Sequence, residues 1–66
     1  MTLKEALNFI DIGNQPILLS DKNCKEYYYH SVEELQSDEQ YKELSQLKVV
    51  NIDADGWQDT VVFYLW

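Results

Sequence analysis

Cys24 and His30 stand six residues apart, and a thiol beside an imidazole can make a nucleophile. The surrounding stretch supplies neither an oxyanion hole nor a third group to orient the imidazole. No G-x-S-x-G, P-loop or H-E-x-x-H pattern occurs elsewhere. Carboxylates are plentiful, yet a chain of 66 residues leaves little room for a pocket that would perturb them. The sequence therefore points away from an enzyme.

Asn51-Ile52-Asp53-Ala54-Asp55-Gly56, followed by Asp59, resembles the opening of a calcium loop. Oxygen ligands fall on alternate positions, then a glycine, then an acid at the ninth place. The twelfth place is Val62, where such loops need a bidentate glutamate. Asp55-Gly56 reads better as hairpin-turn chemistry. Calcium binding is thus a distant third reading, and no cofactor or metal is expected.

The acids form two groups. Glu33, Glu34, Asp38, Glu39 and Glu43 crowd one helical segment, and Asp53, Asp55 and Asp59 gather in the last hairpin. On a continuous helix Asp38 would pair with Lys42, and Glu39 would repel Glu43. Twelve acids against five lysines give a net charge of −7. That balance argues against direct nucleic-acid binding, which needs cations on phosphates, and against anionic membranes. It suits a solubilising coat, or docking on a basic surface of a larger protein. Helix-spaced carboxylates can imitate a row of phosphates.

Aromatics are the third signal. Tyr27-Tyr28-Tyr29 and Val61 to Trp66 read as strands, whose successive residues face opposite sides. Either Tyr28 or the Tyr27/Tyr29 pair fills the core. The other set joins Tyr64 and Trp66 on an outer face, where tyrosine and tryptophan favour a partner or a second copy of the chain. A one-residue slip exchanges the two sets. The candidate partner-binding residues are therefore Tyr27, Tyr29, Tyr64 and Trp66 together with the eight acids.

These residues need a scaffold. Thr2-Leu3-Lys4-Glu5 is a capping box, with Leu3, Ala6, Leu7 and Ile10 as one helical stripe that Phe9 widens. That helix is expected over residues 2 to 11, ended by Gly13-Asn14. Pro16 to Ser20 and Lys25 to Tyr29 form a hairpin about an Asp21-Lys22-Asn23 turn. Ser31-Val32-Glu33-Glu34 is a second capping box. Leu35, Tyr41, Leu44 and Leu47 are core contacts of a helical region that breaks at Ser37-Asp38. Lys48 to Asp53 and Thr60 to Trp66 make a second hairpin. The expected fold is one α+β domain over residues 1–66, helix-hairpin-helix-hairpin (αββαββ), with helices on one face of a four-stranded antiparallel sheet.

A lone cysteine rules out an internal disulfide and, with no leader pattern, suggests a cytoplasmic setting. The apolar runs are far short of the ~20 residues a spanning helix needs. Met1 at the start and VVFYLW at the end read as a whole gene product. In order and texture, MTLKEALNFID, the SVEEL helix and the closing VVNIDADGWQDTVVFYL resemble small acidic accessory proteins of Firmicute phages and conjugative elements. That resemblance implies a stoichiometric inhibitor, of the DNA-mimicking anti-restriction or anti-CRISPR kind, acting on nucleic-acid-processing machinery. The alternative is an assembly module that dimerises through its aromatic sheet face.

Overall fold

The computed structural model describes residues 1–55 and 59–66, with Asp55 described in its backbone alone. The expected Asp55-Gly56 turn therefore lies outside the described residues. Helix α1 spans Leu3–Phe9. Its capping box is complete: Thr2 N–H donates to Glu5 Oε1 at 2.9 Å, and Glu5 N–H donates back to Thr2 Oγ1 at 3.3 Å. Leu3 and Ala6 are fully buried, and Leu7 and Ile10 pack beside them. Phe9 does not widen the stripe; it is 79% exposed. The helix also stops earlier than expected, at an extended Ile10, and Ile12 turns back into the core. Gly13, with φ of +63°, then serves the turn into the first strand, not the helix end.

Strands β1 (Ile17–Ser20) and β2 (Glu26–Tyr29) pair antiparallel, Ile17 with Tyr29 and Leu19 with Tyr27. Asp21 builds their turn: its Oδ1 accepts from the N–H groups of Asn23 (2.8 Å) and Lys25 (2.9 Å). Cys24 takes the left-handed position of that turn, with φ of 63°. After Ser31 come two short helices, α2 (Val32–Ser37) and α3 (Tyr41–Leu44), divided at the expected break. Strands β3 (Val49–Asp55) and β4 (Thr60–Leu65) form the second antiparallel pair, with a bulge at Val50.

The assembly of the two hairpins corrects the expected topology. Among the described residues there are three short helices, and the sheet is mixed, in the order β2-β1-β4-β3. Strands β1 and β4 are central and parallel, Ile17 beside Val61 and Leu19 beside Phe63. The reason lies in the segment between the hairpins. Helices α2 and α3 carry the chain back along the sheet, so β3 enters in the same direction as β2. Its hairpin partner β4 must then run with β1. A parallel connection needs such a long crossover, and 30–48 provides one.

All three helices cover one face. Leu3, Ile17, Leu19, Leu35, Phe63 and Leu65 are fully buried there, joined by Tyr29 and Leu44. Each such side chain contributes about 1.5–3 kcal/mol by leaving water, so this one layer carries most of the stability available to so short a chain. Among the described residues no helix is long and apolar enough to cross a membrane.

A non-glycine residue in left-handed geometry costs about 1 kcal/mol. Cys24 is exposed and is not among the residues that form or pack against the core. Cys24→Gly should therefore raise the unfolding free energy by at most about that amount, the freer unfolded chain offsetting part of it, and so raise the urea midpoint. A lower midpoint would show that the cysteine side chain contributes where the geometry gives it no role.

Candidate functional site

The register divides the three tyrosines. Tyr27 and Tyr29 lie opposite Leu19 and Ile17 and belong to the helix-covered face, whereas Tyr28 lies opposite Leu18 on the other. Tyr29 is buried, and its hydroxyl donates to Asp38 Oδ2 at 2.9 Å. Tyr27 is half-buried against the core, with Lys25 Nζ 5.1 Å from its ring centre. So the ring that accompanies Tyr64 and Trp66 is Tyr28, and the pair expected there faces inward.

The helix-free face can be read row by row. Tyr28, Leu18, Val62 and Asp53 stand side by side across the four strands. The next row is Glu26, Ser20, Tyr64 and Asn51. Beyond β4, Trp66 exchanges backbone hydrogen bonds with Lys48 at 2.8 and 3.0 Å. Tyr28 is 50% exposed, Tyr64 38% and Trp66 68%. Val62 is buried but stands apart from the helix-side core. The face is thus an apolar strip with three open aromatic rings, bordered by the carboxylates of Glu26 and Asp53. The edge of the Tyr28 ring meets the His30 imidazole, with centres 5.2 Å apart.

The acids do not converge on those rings. Glu33, Glu39 and Glu43 are exposed on the helical layer, across the sheet from Tyr64 and Trp66. Two of the five helical acids are engaged within the fold. Glu34 accepts from the backbone N–H of His30 and lies 3.0 Å from its Nδ1. Those contacts, the backbone one foremost, hold its carboxyl below the usual range. The second capping box is correspondingly only half made, by Glu34 N–H donating to Ser31 Oγ. Asp38 accepts from Gln40 N–H at 3.0 Å and from Tyr29, and both lower its pKa, the first more. Because the helix breaks at Asp38, the expected Asp38–Lys42 attraction and Glu39–Glu43 repulsion do not arise within one helix. Among the described residues the one contact of salt-bridge length between an acid and a basic side chain is His30–Glu34.

Asp53 and Asp55 lie within strand β3, and Asp59 is exposed just before β4 with φ of 52°. Asn51 Oδ1 accepts from Ile52 N–H at 3.0 Å, and Asp53 Oδ1 from Ala54 N–H at 2.8 Å. An extended strand holds the Cα atoms of Asn51 and Asp55 roughly 13 Å apart. Ligands of one calcium ion lie ~2.3–2.6 Å from it, so this backbone is unsuited to a calcium loop. Among the described residues no cluster of three or more acidic, histidine or cysteine side chains could hold a metal. Cys24 and His30 flank opposite ends of β2, roughly 15–20 Å of chain apart.

Leu18 and Glu26 are the members of this face that pattern reasoning missed; Tyr28 stood as one of two alternatives for it, and Val62 shares the side of Tyr64 and Trp66 by strand alternation. The available signal was Ser20, the polar residue of β1, which shares their side. No protein-family model, curated protein or solved structure matches the chain, so the site is read from its own geometry.

Burial, then the bond to Asp38, pushes the Tyr29 hydroxyl up to about 12, from 10.0. On raising the pH the unfolded chain loses this proton first, so its contribution is complete below pH ~10 and is lost as pH climbs to ~12. Tyr29→Phe should flatten that alkaline decline in denaturant midpoint and cost on the order of 1 kcal/mol at neutral pH. An unchanged alkaline profile would refute the assignment. Calcium should leave the melting temperature where magnesium leaves it; a rise specific to calcium would restore the loop reading.

Proposed function

We propose that this chain is a non-enzymatic binding protein that docks, through its helix-free sheet face, on a basic surface of a larger protein. The observation that carries the reading is the exposure of Tyr28, Tyr64 and Trp66 around half-buried Leu18 and buried Val62, on a sheet whose other face is closed by helices. Clustered aromatic rings of this kind supply most of the binding energy in protein interfaces. The partner's sign follows from charge: Glu26 and Asp53 border the strip, and the whole molecule carries −7. Two copies meeting through this face would set −7 against −7, which favours a basic partner over a homodimer.

In its most concrete form the protein is a cytoplasmic inhibitor of nucleic-acid-processing machinery. The setting comes from the resemblance to acidic accessory proteins of phages and conjugative elements, and the strategy from the acidity. Glu33, Glu39 and Glu43 then steer the encounter from the far layer, since long-range attraction needs no contact.

The test starts by capturing a partner from a bacterial lysate, then titrating the purified pair. Affinity should fall steeply between about 0.1 M and 1 M salt, as the screening length contracts from ~10 Å to ~3 Å. Trp66→Ala or Tyr28→Ala should weaken binding roughly tenfold or more. Glu33→Gln should mainly slow association. Salt-insensitive binding, indifference to both aromatic changes, or a dimer weakened by Trp66→Ala would each overturn the proposal.

A further inference from the structure

The two edges of the sheet are finished differently. Along β3 the outward N–H groups are taken. Val49 donates to the Met1 carbonyl at 2.8 Å, Ile52 to Asn51 Oδ1 and Ala54 to Asp53 Oδ1. Thr2 also bridges to Lys48. Such devices stop a neighbouring strand from joining an edge.

Strand β2 has a different finish. Asp21 N–H donates to the Lys25 carbonyl at 3.0 Å, so the odd residues Lys25, Tyr27 and Tyr29 are those whose backbone faces β1. The N–H and C=O groups of Glu26 and Tyr28 consequently turn away from the sheet. Only the next outward N–H, that of His30, is closed, by the Glu34 carboxylate. The opening is thus two residues long, with two donors and two acceptors at strand spacing. Tyr28 and Glu26 flank it on the helix-free side, and Tyr27 on the other.

We infer that β2 accepts, as a fifth strand, an extended lysine- or arginine-bearing segment of a partner protein. Backbone pairing at Glu26 and Tyr28 would hold the segment, as in strand-addition recognition generally. On the helix-free side the cations of the added strand would lie beside Glu26 and Tyr28, and on the other side its apolar side chains would lie beside Tyr27. A second copy of this chain is the poorer occupant, because it brings another −7 to the same edge. The basic character of the segment rests on the docking reading above; the open backbone does not.

The experiment uses the full isotope-labelled chain and a capped heptapeptide of alternating lysine and valine. Amide hydrogen exchange should slow at least tenfold at Glu26 and Tyr28 and stay unchanged at Ile52 and Ala54. Glu26→Pro removes one outward donor at an edge position that tolerates proline, and should abolish the protection. Glu26→Ala removes only the carboxylate and should weaken it a few-fold. Methylating alternate nitrogens of the peptide should also abolish binding, with the protein chain untouched. Absence of protection at the highest soluble peptide concentration overturns the inference. So do equal binding by the proline and alanine variants, survival with the methylated peptide, or a concentration-dependent dimer that protects the same amides. Equal protection by a glutamate–valine peptide would remove the basic partner while leaving the edge open, and Trp66→Ala reads the sheet face separately from either result.

Discussion

The parallel ladder between β1 and β4 is the constraint on which the rest of the molecule depends. A hairpin alone is marginal in water, and each half of this chain offers one hairpin. Joining them through their most apolar strands puts Ile17 and Leu19 beside Val61 and Phe63, all on the face that the helices cover. The same registration sends Leu18 and Val62 to the opposite face. Polar residues Glu26, Asn51 and Asp53 are left to the two edge strands, where water reaches them. Core, open face and edges are therefore consequences of one pairing.

Much of the molecule's acidity is local carpentry. Glu5 closes the first turn of α1, Asp21 builds the hairpin turn, and Glu34 ties the end of β2 to the start of α2. Asp38 holds the corner between α2 and α3 on Tyr29, while Asp53 occupies a β3 edge donor. These groups still contribute charge at a distance, but their geometry is set by the fold. A net charge of −7 thus describes the approach of a partner better than it locates the contact. The contact is better located by rings: Tyr28, Tyr64 and Trp66 are open where no helix lies. Tyr28 occupies the corner shared by the open face and the unblocked edge of β2, so one partner segment could engage both.

The elements whose signals are local were legible in the chain. Thr2 and Glu5 sit at capping distance and cap α1; Asp21 to Asn23 turns; Ser37-Asp38 breaks the helical region in two. Both hairpins lie where β-branched and aromatic runs place them. Phe9 shows the limit of such reasoning: its spacing suits the buried stripe, yet it is exposed, because α1 ends at it and the chain turns inward at Ile12. The docking residues were legible in type, as surplus tyrosine and tryptophan, but not in membership.

What the chain by itself determined is the set of pieces: their order, their caps and turns, an excess of carboxylates, and more aromatic rings than one thin core can hold. These depend on contacts within a few residues, where spacing alone decides. Only the tertiary structure decided that β1 and β4 run parallel, that Tyr29 goes in and Tyr28 out, and that the outward donors of β3 are taken while those of Glu26 and Tyr28 on β2 are open. Each of those depends on which strands become neighbours. A strand has two chemically similar faces and two edges, and it acquires an inside and a free edge only when another part of the chain packs against it.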